Sequence, residues 1–111
     1  MNEIVEIDYK NLDETISKHS LSVIYFWSPG CGVCRYTGPI FESLPEEYDK
    51  VLFGKVNTNE NVETYTMLGI TGVPTIKLYR DGLTVDTIVG CKDYMKVKQT
   101  YKEKIEELIN G

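Results

Sequence analysis

Two thiols three positions apart, Cys31 and Cys34, lie within Trp27-Ser28-Pro29-Gly30-Cys31-Gly32-Val33-Cys34-Arg35. The preceding stretch, Leu21-Ser22-Val23-Ile24-Tyr25-Phe26, is β-branched and aromatic and reads as a buried strand, while residues 35–48 carry helix spacing. A C-x-x-C where a strand hands over to a helix has a mechanical meaning. Cys31 falls at the helix start, where unpaired backbone N–H groups and the helix dipole favour negative charge. That favours thiolate, the form that attacks disulfides. Cys34 follows one turn later on the same face and is able to close a short ring with Cys31. The pair is suited to exchanging electrons with another disulfide. Reading both as ordinary small apolar residues leaves Gly32 between them and the strand–helix setting without a reason.

Composition narrows the partners. The chain has 111 residues, a length that suits one domain over residues 1–111 with a modest core. Its net charge of −5 argues against nucleic acid, whose phosphates reward clustered Lys and Arg. No run approaches the ~18 apolar residues of a membrane span. The start, Met1 to Asp8, has neither a basic opening nor a long apolar run, so the cytoplasm is the expected compartment. Three cysteines, one pair closely spaced, are unlike the even framework of a secreted disulfide scaffold. Zinc would need a second pair of ligands, and only His19 and Cys91 remain, so no structural metal is expected.

The elements that must hold the thiols follow in order. Ile4, Val5 and Ile7 suggest a first strand, and Asn11 with Glu14 resembles a capping box opening a helix to about Lys18, with His19 exposed at its end. Beyond the cysteines, Ile40, Phe41, Leu44 and Tyr48 mark a core-facing helix that Pro39 should kink. Val51 to Val56 reads as a central strand. Asn59 or Asn61 is expected to cap a third helix burying Val62, Tyr65 and Leu68 and ending at Gly69. Thr75 to Arg80 and Leu83 to Val89 read as a hairpin about Arg80-Asp81-Gly82. From about Lys92, the steps Tyr94, Val97, Tyr101, Ile105 and Leu108 predict a long amphipathic helix. The expected order is β-α-β-α-β-α-β-β-α, parallel through its crossovers and antiparallel in its last hairpin.

Four features together resemble the thioredoxin family: Phe26-Trp27 three residues ahead of Cys31-Gly32-Val33-Cys34, Pro39 five residues after Cys34, Gly72-Val73-Pro74-Thr75, and Asp81-Gly82 followed by Val89-Gly90. The resemblance covers essentially the whole chain. It implies an α/β thioredoxin fold, a central mixed sheet flanked by helices, and a protein dithiol–disulfide oxidoreductase needing no bound cofactor. By the same resemblance Cys31 is the attacking thiol, and Cys34 resolves the mixed disulfide. Pro74 matches the family's cis-proline facing the pair, and Val73 the residue whose backbone pairs with substrate. Gly90 matches a groove glycine, where a side chain would obstruct substrate, although a strand-end glycine serves equally. Trp27 matches the tryptophan beside the site, and Gly32 and Val33 lie between the thiols. Disulfide-bearing proteins are the implied substrates, a thioredoxin reductase the implied electron donor, and a monomer the expected state.

Three departures bear on this expectation. Gly30 stands where many thioredoxins carry a second tryptophan, and Val33 replaces the proline of C-G-P-C, so the reduction potential does not transfer from the family. Tyr25 occupies the place of a buried aspartate credited with taking the resolving thiol's proton. Tyrosine, with a usual pKa near ~10, is a poor base at neutral pH. Slower resolution, or proton transfer through water or another group, is the expected consequence. Lys55 matches the lysine that neighbours that aspartate, and here it either lacks its partner or reaches solvent. Cys91, after Gly90, is expected at the groove rim, either passive or forming a mixed disulfide, a dimer or a regulatory cap. A specialised protein with few partners, one with an oxidising or isomerising bias, and a binding module with little turnover are the competing readings.

Overall fold

The computed structural model describes residues 2–111. Its sheet runs in the order β1-β3-β2-β4-β5. The strands are β1 (Ile4–Glu6), β2 (Leu21–Trp27), β3 (Leu52–Asn57), β4 (Thr75–Arg80) and β5 (Leu83–Val89). The helices are α1 (Tyr9–Ser17), α2 (Gly32–Glu42), α3 (Glu63–Met67) and α4 (Val97–Asn110). β3 pairs in parallel with β1 and β2, whereas β4 runs antiparallel to both β2 and β5. The mixed sheet expected from the element order is present.

The central strand β2 shows why the sheet needs cover on both sides. Val23 and Tyr25 point into a core with Phe41 and Leu44 beneath α2 and with Val97, Tyr101, Ile105 and Leu108 of α4. Ile24 and Phe26 point oppositely, into a second core with Leu12 and Ile16 of α1. Alternation at period two, with both faces covered, yields an unbroken apolar run in sequence. Each fully buried Ile or Phe of this kind contributes about 1.5–3 kcal/mol. The strand therefore forms a fixed rail, and whatever follows Trp27 is set by it.

Local chemistry moved several boundaries. α1 starts at Tyr9, because Asp8 rather than Asn11 precedes it: the Asp8 N–H donates to Asn11 Oδ1 at 3.1 Å. α2 begins at Gly32 with Cys31 as its cap, in keeping with the thiol at the helix start, and ends at Glu42 rather than Tyr48. Pro45 has no N–H to continue the ladder, so the chain tightens into a 3₁₀ turn over Pro45–Glu47. α4 starts five residues later than expected, after a 3₁₀ turn over Tyr94–Lys96 in which Asp93 accepts from the Met95 N–H at 3.0 Å.

Of the expected buried face of α3, Leu68 alone packs against the core, and it is only partly buried. Val62 is 63% and Tyr65 39% exposed, whereas Asn61 and Thr64 are buried. Asn61 does not cap a helix by side chain; it bridges Asn57 O at 2.9 Å and the Tyr9 N–H at 2.7 Å, tying the end of β3 to α1. A buried polar group that satisfies two backbone partners is invisible to hydrophobic periodicity. The β4–β5 turn matches expectation: Asp81 and Gly82 have φ of 52° and 81°, the backbone of a primed two-residue turn.

Candidate active site

β2 delivers the chain to the site, and α2 leaves from it. Between them the Cys31 N–H donates to Ser28 O at 3.1 Å, turning the chain so that Cys31 caps α2. Cys31 Sγ accepts the Cys34 N–H at 3.0 Å. The two cysteines are joined as a disulfide with Cα atoms 5.2 Å apart. Exposure separates them: Cys31 is half-buried, Cys34 only 6% exposed. Upon reduction, the capping N–H and the helix N-terminus favour negative charge on Cys31.

Val73 O lies 3.6 Å from Cys31 Sγ, which brings the start of β4 against the pair. The Val73–Pro74 bond is cis, and Pro74 is buried. The Gly90 N–H donates to Pro74 O at 2.8 Å, so Gly90 is joined to the same segment. Its φ is +69°, and a Cβ built there meets nothing within 4 Å. The space is open. The glycine answers a backbone need, since L side chains rarely adopt that conformation. Gly32 and Val33 form the first turn of α2, the former exposed and the latter half-buried.

Behind the thiols is a small cavity of about 150 Å³ whose wall includes Tyr25, Trp27, Cys34, Arg35, Glu42 and Lys55. Tyr25 closes its inner end. The Tyr25 hydroxyl lies 2.7 Å from Thr37 Oγ1 and 3.4 Å from Cys34 O, and its ring stacks on Phe41 at 4.9 Å. Burial pushes the Tyr25 phenol above its usual range, the Thr37 hydrogen bond opposes this, and the Glu42 charge adds to it. Tyr25 therefore stays protonated, and it is not a base. Lys55 does have a partner: its Nζ is 3.6 Å from Glu42 and sits 4.9 Å from the centre of the Trp27 ring. Trp27 Nε1 is buried with no hydrogen-bond partner among the described residues.

Sequence reasoning passed over Thr37 and Glu42. The signal was present, since Cys34, Gly38 and Glu42 follow at i, i+4 and i+8 along one stripe of α2. Cys91 is a free, half-buried thiol packed against the α4 core. It lines a separate cleft of about 480 Å³ with Val97, Thr100 and Tyr101, and it is absent from the wall of the cavity behind the thiols. Tyr36, an exposed side chain, ties α2 to the turn before α4 by donating to Tyr94 O at 2.7 Å.

Known proteins share this arrangement. The family model described as Thioredoxin matches residues 3–103. The chain belongs to the thioredoxin family. It is 32% identical over 107 residues to a thioredoxin of Buchnera aphidicola subsp. Acyrthosiphon pisum, an alignment covering 95% of this chain and 99% of that one. It is also 33% identical over 111 residues to a chloroplastic M-type thioredoxin of Pisum sativum. That alignment covers 98% of this chain but 62% of the pea protein, so the chain spans less than two thirds of that relative's length. The solved Plasmodium falciparum thioredoxin superposes with a TM-score of 0.81 at 31% identity, covering 95% of this chain and 97% of that one. This thioredoxin-family chain has its cysteine pair closed at the family's C-x-x-C, as in a thiol–disulfide oxidoreductase site. No helix among the described residues is long and apolar enough to cross a membrane.

Proposed function

We propose that the chain is a thioredoxin-type reductant of protein disulfides, with Cys31 as nucleophile and Cys34 as resolving thiol. The observation that carries the reading is the unequal placement of the two sulfurs: Cys31 at the helix mouth beside Val73, Cys34 behind it and buried. Cys31 thiolate attacks one sulfur of a substrate disulfide, forming a mixed disulfide and releasing one substrate thiolate. Cys34, deprotonated, then attacks Cys31 Sγ, which releases the second substrate thiolate and closes Cys31–Cys34. Two electrons pass to the substrate. The Val73 backbone and Pro74 receive the extended substrate chain, a short case of strand addition, and Trp27, Gly32, Val33 and Gly90 surround it. A thioredoxin reductase returns the two electrons, and the setting is a reducing compartment such as the cytoplasm, with the chain acting as a monomer.

Trapping tests the assignment. Cys34→Ser should accumulate substrate proteins on Cys31 as stable mixed disulfides, and Cys31→Ser should hold none. Capture by Cys31→Ser overturns the roles. Insulin reduction by dithiothreitol should accelerate with the parent chain, and no acceleration would favour a binding module. A second reading, a specialised protein with an oxidising bias, draws on Gly30 and Val33 about the pair; a potential well above the cytosolic glutathione pool would support it.

A further inference from the structure

Resolution requires Cys34 to lose a proton, and Cys34 is 6% exposed. Tyr25, which closes the cavity beside it, is held protonated by burial. The titratable and charged groups facing this cavity are Tyr25 from β2, Cys31, Cys34, Arg35 and Glu42 from α2 and its cap, and Lys55 from β3. Among the described residues, Glu42 brings the one carboxylate to that wall. Lys55 Nζ, 3.6 Å away, holds it there. The cavity of about 150 Å³ is roomy enough for a few waters, each needing on the order of 10–15 Å³ of such space. Lys55 and Glu42 supply polar partners for them on a wall that is otherwise largely apolar. Glu42 is itself half-exposed, so a proton that reaches it passes readily to solvent.

We propose that Glu42, positioned by Lys55, is the proton acceptor for Cys34, reached through water in the cavity behind the disulfide. The proposal rests on Cys34 being the resolving thiol. In resolution the Cys34 S–H bond breaks, its proton passes through water to the Glu42 carboxylate, and the freed electron pair forms the bond to Cys31 Sγ. The Cys31–substrate bond breaks at the same time, and the substrate sulfur leaves as thiolate. In the reverse direction Glu42 returns the proton to Cys34. The acid has moved from the strand beneath the pair to the third turn of the helix that carries it.

The test is stopped-flow reaction of the reduced full-length chain with dithiobis(nitrobenzoate), in proteins that all carry Cys91→Ser to remove the third thiol. The first thionitrobenzoate leaves when Cys31 attacks; the second leaves when Cys34 resolves. Glu42→Gln should leave the first release unchanged and slow the second by about a hundredfold, the low end for a positioned base. The second release should be nearly flat between about pH 6 and 8 in the parent, and should rise about tenfold per pH unit in Glu42→Gln, where hydroxide must do the work. Glu42→Asp should recover part of the rate, a result that loss of packing would not produce. A second release in Glu42→Gln with the parent's rate and pH profile overturns the proposal while leaving the roles of the thiols intact. A parent that makes no second release overturns the role of Cys34, and this proposal with it.

Discussion

The Tyr25 hydroxyl and Thr37 Oγ1 lie 2.7 Å apart, Thr37 being fully buried and Tyr25 1% exposed. This pair fills the floor beneath Cys34 with a neutral hydrogen bond. The consequence is structural rather than catalytic. Tyr25→Phe should remove this hydrogen bond, while Tyr101 remains beside Thr37, and cost about 0.5–1.5 kcal/mol of stability, read as a lower denaturation midpoint at unchanged m-value. The second thionitrobenzoate release should stay within about twofold of the parent. A large fall in that rate would put the phenol on the proton path.

Gly90 separates two explanations that sequence leaves together. Its φ of +69° gives it a backbone role whatever the space about a built Cβ, since L side chains rarely adopt that conformation. Gly90→Ala should therefore destabilise by about 1–2 kcal/mol, and Gly90→Asn by less, since Asn tolerates the left-handed region. Substrate attack by Cys31 should change little in either variant. If Gly90→Ala retains full stability but attacks protein disulfides much more slowly, the groove reading is the correct one.

Alkaline stability should report on the second core. Burial pushes the Tyr79 phenol up to about 12, with a Thr84 hydrogen bond opposing and the Asp13 charge adding. In the unfolded chain a phenol titrates near ~10, so above that pH the unfolded state sheds a proton that the folded state keeps. Stability supplied by the neutral phenol is complete below about pH 10 and is lost as pH rises towards 12, by about 2–3 kcal/mol. Urea unfolding of parent and Tyr79→Phe at pH 8 and pH 11 checks this. The variant should lose less between the two pH values; equal losses would show that Tyr79 does not govern the alkaline limb.

What local sequence determines here is whatever depends on neighbours along the chain. The apolar run of β2, the thiol spacing at a helix mouth, the Asp81-Gly82 turn and the stepping of Val97, Tyr101, Ile105 and Leu108 are properties of adjacent residues, and each is recovered in the structure. The errors fell where polar side chains bond backbone groups, distant for Asn61 and two residues away for Asp93. Asn61 bridges β3 to α1 instead of capping a helix, and Asp93 delays the start of α4. Hydrophobic periodicity has no term for such bonds.

The site divides in the same way. Cys31 and Cys34 were legible as a reactive pair, because one turn of helix is enough to bring them together. That Cys34 is the buried one, that Val73 O approaches Cys31 to 3.6 Å, and that Glu42 and Lys55 share a cavity with Tyr25 all required β2, β3, β4 and α2 to pack. Contacts between residues tens of positions apart have no signature in local spacing, since only the closed sheet decides which side chains meet behind the disulfide.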